Sequence, residues 1–265
     1  MKKFVVRTYE LRKNQKSGPG AASLRFAFLT DLHSVENGEQ NSLLLKAMEK
    51  ENPDAVLCGG DMIVGKPGQT PDTALRLMEQ LRKRWPVIHA MGNHEYRAKI
   101  YPEVYGALYE RYRSGLKACG VILLDNQRRE MVLKGRRVLC CGLSISREYY
   151  QRFQRRPLSL EQIQKQIGLP DREAVSILLA HNPLYLETYL KWGGNVTLCG
   201  HYHGGVLGLG KHRGLISPDF RIFPREARGL FGGENCWGIV GAGIGEHTIP
   251  VRIHNPRELV VLDVT

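Results

Sequence analysis

Seven side chains of metal-ligand type stand just beyond short apolar runs of the chain. Asp31 and His33 follow Arg25–Thr30, Asp61 follows Ala55–Cys58, and Asn93 follows Val87–Met91. His181 follows Ala174–Ala180, and His201 and His203 follow Asn195–Cys199. His94 lies beside Asn93 in the tetrad Gly92-Asn93-His94-Glu95. Any one of these has an ordinary explanation, since Asp and Asn cap helices and a lone His commonly serves packing. Their shared placement does not. The set holds carboxylates, imidazoles and an amide but no thiolate, which suits Mn, Fe, Zn, Co or Ni better than a soft-metal or calcium site. Seven ligands exceed what one ion takes, so two ions sharing a bridge are expected. Ion pairs about 3.5–4 Å apart clamp the attacking and leaving oxygens of in-line displacement at phosphorus. His89, His212, His247 and His254 fall outside these motifs and are read as structural.

The elements that must hold this set can be read from the pattern around it. Apolar runs of four to eight residues bounded by Gly, Asp and Asn predict strands, and open α/β sheets place ligands at strand carboxyl ends. Strands are expected over Phe4–Leu11, Arg25–Thr30, Ala55–Cys58, Val87–Met91, Val121–Leu124, Ala174–Ala180, Asn195–Cys199 and Leu259–Val264. A hairpin is expected from Glu130–Leu133 and Arg137–Leu143 around Lys134-Gly135-Arg136. Helical spacing marks Leu43–Met48, a helix starting at Thr70-Pro71, Tyr101–Ala118 and Leu158–Ile167. Asn14–Ser23 reads as a polar connection, and Ser144–Pro157 fits either helix or irregular chain. Helices alternating with strands predict an α/β fold, a layered α-β-β-α sandwich with two mixed sheets and flanking helices. Residues 1–265 read as a single domain, with Gly204–Gly233 as a loop over the active site.

In order along the chain, D-x-H (Asp31, His33), G-D (Gly60, Asp61), G-N-H-E (Gly92–Glu95), His181 and G-H-x-H (Gly200–His203) resemble the signature of calcineurin-like metallophosphoesterases. The tail, with Gly241-Ala242-Gly243-Ile244-Gly245 and Pro250-Val251-Arg252, is similar to a bacterial branch of membrane-associated phosphodiesterases and UDP-diacylglucosamine pyrophosphatases. The resemblance implies that Asp31, His33 and His203 hold one ion, that Asn93, His181 and His201 hold the other, and that Asp61 bridges them. It implies a phosphoesterase acting on a phosphodiester, pyrophosphate or phosphomonoester, in which a metal-bridging hydroxide attacks phosphorus. His94 would stabilise the phosphoryl oxygens or protonate the leaving group. Two features depart from the pattern. The run Gly60-Asp61-Met62-Ile63-Val64 lacks the second acid of GDxxD. The branch's N-terminal anchor or export signal is also not expected here, because the opening has only three apolar residues before Arg7, fewer than the roughly 7–15 of a signal peptide.

A net charge of +12 points to an anionic partner. Much of it lies between Arg111 and Arg156, with twelve basic residues against three acids. The expected partners are a phosphorylated small-molecule or lipid-linked substrate and, through that basic window, the surface of an anionic membrane. A nuclease of the same fold is the alternative, although no aromatic residues interleave with a basic stretch; a non-catalytic scaffold should have lost ligands. The six cysteines show no CxxC spacing and mostly sit in apolar runs, so buried free thiols and a cytoplasmic protein, peripheral to a membrane at most, are expected. Gly241–Gly245 is followed by an extended pattern rather than a helix and reads as a tight loop, not a dinucleotide site.

Overall fold

A computed structural model of the chain describes residues 4–12, 22–151, 156–205, 207–210, 212–215, 222–246 and 252–265. In chain order the elements are β1 (Phe4–Leu11), β2 (Leu24–Leu29), α1 (Ser42–Glu51), β3 (Ala55–Cys58), α2 (Asp72–Arg82) and β4 (Val87–Ala90). Then come α3 (Asn93–Ile100), α4 (Pro102–Tyr105), α5 (Leu108–Ala118), β5 (Ile122–Leu124), β6 (Gln127–Leu133) and β7 (Arg136–Leu143). The remainder is α6 (Leu160–Ile167), β8 (Val175–Ala180), α7 (Leu186–Trp192), β9 (Val196–Cys199), β10 (Gly208–Leu209), β11 (Arg213–Gly214), β12 (Gly229–Gly233), β13 (Cys236–Val240) and β14 (Arg257–Val264).

Twelve of the strands form two mixed six-stranded sheets, ordered β1-β14-β2-β3-β4-β5 and β12-β13-β9-β8-β7-β6, and β10 pairs with β11 in a separate two-stranded ribbon. Alternation along each central strand sends one set of side chains between the sheets and the other toward helices. In β2, Phe26 and Phe28 face the inter-sheet core with Leu57, Ile88, Ile177, Leu179 and Leu198. Ala27 and Leu29 instead join Leu44, Met48, Leu77 and Leu81 under α1 and α2. On the second sheet, Leu139, Cys141 and Leu178 pack under α6 and α7 with Ile163, Tyr189 and Trp192. Strands buried on both faces need near-continuous apolar sequence, which is why their runs are so plain. The expected α-β-β-α sandwich is the observed architecture.

Parallel register levels the strand ends at one edge of each sheet. Leu29 pairs with Cys58, and Cys58 with His89, so β2, β3 and β4 end side by side. On the other sheet, Leu198 of β9 pairs with Leu179 and with Ile239, bringing the ends of β8, β9 and β13 level.

Several local expectations differ from the structure. Tyr101–Ala118 is two helices, because Pro102 starts α4 and Gly106, with φ 59°, ends it before α5 begins. Helix α3 has no apolar periodicity and α7 is short, so neither was expected. Ser144–Pro157 contains a 3₁₀ turn at Arg147–Tyr150; its residues 152–155, like residues 14–21 of the polar connection, lie outside the described residues. Gly204–Gly233 contains β10, β11 and the edge strand β12, while residues 206, 211 and 216–221 within it lie outside the described residues. The cysteines are free, and Cys58, Cys140, Cys141 and Cys199 are buried. Among the described residues no helix is long and apolar enough to cross a membrane.

Candidate metal centre

The loops leaving β2, β3, β4, β8 and β9 converge where the carboxyl edges of the two sheets meet. They are laced together by main-chain hydrogen bonds: Asp31 N to Gly60 O, His33 N to Asp61 O, and Gly200 N to His181 O. The loop after β13 joins through Ile244 N to Thr30 O and Gly245 N to Asp31 O. Asp31, His33, Asp61, His201 and His203 all have positive φ, between 47° and 67°. Non-glycine residues rarely adopt this region, and such strain concentrates at functional sites. Two glycines are obligatory through close approach. A Cβ on Gly92 would lie 2.2 Å from Asp61 Oδ1, and one on Gly200 would lie 2.0 Å from Thr30 Oγ1.

Three groups of ligand atoms result, each within 4.8 Å of one another: Asp31, His33 and His203; Asp61, His181 and His201; and His33, Asp61 and His94. The first holds the three residues expected for one ion; the second holds His181 and His201 of the other expected set together with Asp61. His203 Nε2 lies 3.3 Å from Asp31 Oδ1, His33 Nε2 lies 3.1 Å from His203 Nε2, and both His33 and His94 approach Asp61 Oδ2, at 3.9 and 4.0 Å. Asn93 opens α3 beside them, and its Oδ1 is buried with no hydrogen-bond partner. His89 is elsewhere, bonded through Nε2 to Tyr112 Oη at 3.1 Å on the helix side of β4, and the His212 ring lies tilted against that of Phe231. His247 lies outside the described residues.

Two histidines are anchored in opposite senses. His181 Nδ1 lies 2.7 Å from Gly59 O, an acceptor only, so Nδ1 donates and Nε2 turns inward. That Nε2 is buried, 3.1 Å from Asp61 Oδ2. His94 Nδ1 instead accepts from Gly65 N at 2.8 Å. Its neutral form therefore carries the proton on Nε2, facing Asp61. The first arrangement suits a metal ligand, whose other nitrogen donates to a carbonyl; the second suits a hydrogen-bond donor.

The electrostatics agree with a cation site. Burial pushes His33 and His94 down to about 4, so both are neutral near pH 7. Burial also opposes charge on His181, but Asp61 and Asp31 outweigh it and raise its pKa to about 10. Burial opposes charge on Asp61 too, yet His181, His94 and His33 hold it well below the ordinary carboxylate range. With two buried carboxylates facing buried imidazole nitrogens, a proton, here on His181 Nε2, or a cation in its place must occupy the gap. The N/O donor set, the orphaned Asn93 Oδ1 and the inward His181 Nε2 fit transition-metal ions.

Sequence reasoning gave no role to Glu95, Arg252 or Asn255. Glu95 is fully buried and accepts four backbone hydrogen bonds: Asp61 N at 2.8 Å, Met62 N at 2.7 Å, Ile63 N at 3.2 Å and Gly92 N at 3.0 Å. It clamps the Asp61 loop to the Asn93 loop. Bonds to a charged acceptor contribute roughly 1.5–3 kcal/mol each. Burial, then the charge of Asp61, raises its pKa to about 7. The local signal was its place three residues after Gly92, the spacing at which a Glu reaches back to a helix N-terminus. Arg252 Nη1 donates to Ala242 O at 2.8 Å and to His203 O at 3.3 Å. Asn255 Nδ2 donates to His203 O at 2.6 Å and also to Gly205 O. Together they hold the His203 loop from below.

No curated protein matches the chain. Among solved structures, a candidate 5′-nucleotidase of Staphylococcus aureus, solved with α-ketoglutarate, superposes with a TM-score of 0.50 at 10% identity, over 91% of this chain and 54% of that one. The phosphopantetheinyl hydrolase of Mycobacterium tuberculosis gives a TM-score of 0.47 at 13% identity, over 83% and 89%. A phosphodiesterase from an archaeon gives 0.44 at 12%, over 85% and 88%. The chain thus spans about half the length of the staphylococcal protein. The family model described as calcineurin-like phosphoesterase matches residues 24–205, which contain the seven candidate ligands at strand ends and His94. The chain belongs to the calcineurin-like phosphoesterase family.

Proposed function

We propose that this chain hydrolyses phosphoric esters or anhydrides with two transition-metal ions held in the cluster, Mn, Fe, Zn, Co and Ni being the compatible metals. Asp31, His33 and His203 would hold one ion; Asn93, His181 and His201 the other; Asp61 would bridge them. When bound, the ions supply Lewis acidity and a water of lowered pKa. In the reaction a water oxygen bonds to phosphorus, the bond to the leaving oxygen breaks, and that oxygen takes a proton. His94 presents its Nε2–H to a phosphoryl or leaving oxygen, and Glu95 holds the Asp61 and Asn93 loops in register. What carries this reading is the opposite anchoring of two imidazoles. His181 Nδ1 donates to Gly59 O and leaves Nε2 for an ion that would displace its proton, while His94 Nδ1 accepts from Gly65 N and leaves Nε2–H as a donor.

The substrate class is a phosphorylated small molecule, as a diester, pyrophosphate or monoester. Residues 1–265 act as one domain, with Gly204–Gly233 near the mouth of the site. A lipid-linked substrate and contact with an anionic membrane rest on charge alone. The basic window supports them less than its composition suggests, because Arg111 pairs with Asp72, Arg113 with Glu110, Arg137 with Asp171 and Lys134 with Asp54. Arg152 and Arg155 of that window lie outside the described residues. The test is a panel of p-nitrophenyl phosphate, bis-p-nitrophenyl phosphate, ADP and a nucleotide sugar, with and without metal. Metal-dependent release of product from at least one is expected; silence across the panel in metal-loaded protein would overturn the proposal.

A further inference from the structure

Arg97 stands apart from the basic side chains around it. Lys99 is paired with Asp125, Arg156 with Glu148, and Arg147 donates to Tyr101 Oη at 2.8 Å while lying over its ring. Arg97 is partly buried on α3, and among the described residues its side chain has neither a carboxylate partner nor a hydrogen bond; its Nε is buried. An arginine kept only for solubility would leave that nitrogen in water.

Helical geometry says where it points. At 100° per residue, Arg97 lies roughly 40° around the helix from Asn93 and roughly 60° the other way from His94. It therefore sits between the amide assigned to an ion and the donor assigned to the phosphoryl group, about 5.4 Å further along the axis. Its charge reaches His94, whose protonation it opposes after the larger effect of burial. The 3₁₀ turn Arg147–Tyr150 packs against α3, and its Tyr150 ring stands edge-on to His201 at 5.2 Å, forming another part of the wall around the centre.

We propose that Arg97 determines specificity by taking a second phosphate of the substrate, so that the centre prefers diphosphates, in which that phosphate adjoins the scissile one, to simple monoesters. The inference rests on the phosphoester-hydrolase reading of the site. A scissile phosphoryl group beside Asn93 and His94 places an adjoining phosphate within reach of a side chain one turn along. The planar guanidinium, not committed to any carboxylate, offers paired donors matched to phosphate oxygens. No other residue is needed to explain the preference.

The experiment compares AMP with α,β-methylene-ADP, which resists cleavage between its phosphates, by calorimetric titration with Mn²⁺ in excess of ligand. Wild type should bind the diphosphate analogue at least about tenfold tighter than AMP. Arg97→Gln should remove most of that preference with metal content unchanged. Arg97→Lys should restore part of it, since lysine supplies charge without the fork. Equal affinity for the two ligands in wild type, or a preference that survives Arg97→Gln, overturns the proposal. Tight, Arg97-dependent binding by a protein that hydrolyses nothing in the substrate panel would instead remove the hydrolase reading while keeping Arg97 as the residue that takes a second phosphate.

Discussion

Two clusters of charge lie at opposite ends of β2, and only one of them asks for a ligand. At its start, a cavity of about 550 Å³ is lined by Glu10, Arg12, Arg25, Lys50, Glu51 and Asp263 among others. There the charges satisfy one another: Arg25 forks onto both oxygens of Asp263 at 2.8 Å and lies 3.6 Å from Glu51. The two non-glycine residues of that lining with positive φ are Asn52, which caps α1, and Lys134, which turns the β6–β7 hairpin, places where this conformation is ordinary. At the other end of β2, Asp31 and Asp61 face imidazole nitrogens across short gaps, on a backbone strained at one candidate ligand after another. The cavity has room without need. The candidate metal centre has the need. Unsatisfied donor chemistry, rather than volume, marks the site.

That contrast can be broken by mutation. Asp61→Asn should have the largest effect, reducing turnover to background and lowering the content of both ions, because one carboxylate serves both; retained activity with full metal would remove the bridge. His94→Ala should lower kcat by ~10²–10⁴ while sparing metal content. If Nε2–H serves the leaving oxygen, the loss shrinks when nitrophenol leaves. Equal losses for good and poor leaving groups would confine His94 to the phosphoryl oxygens. Glu95→Gln turns an amide NH₂ toward backbone N–H groups and should weaken metal binding by about 10–100-fold, the usual cost of losing a residue that orients ligands. An unchanged metal titration would show that the Asp61 loop needs no clamp. Smallest is the control at the other end of β2. Arg25→Gln with Asp263→Asn should change unfolding free energy by about 1 kcal/mol or less, since the pair is partly exposed, and should leave turnover and metal content alone.

The candidate ligands were legible because each is local: an apolar run, then a donor at its end. The sandwich was legible for the same reason, since two-sided burial writes itself into the sequence of β2, β3, β8 and β9 as plain apolar runs. What stayed hidden is long-range. Glu95 acts on a loop more than thirty residues earlier, and nothing near it in sequence names Met62 or Ile63 as its partners. Helix α3 is held by what its ends bind, not by an apolar stripe, so periodicity missed it. The basic window looked like a free patch because its acids, Asp54, Asp72 and Asp171, come from other parts of the chain.

The central claim is that the ends of β2, β3, β4, β8 and β9 hold two ions through one shared carboxylate. Metal content measured by mass spectrometry tests it most directly, on protein stripped with chelator, reloaded with Mn²⁺ or Zn²⁺ and desalted. Wild type should carry about two ions per chain, with activity returning as the second ion binds, and Asp61→Asn should lose both. One ion or none per chain in a fully active protein would contradict the claim.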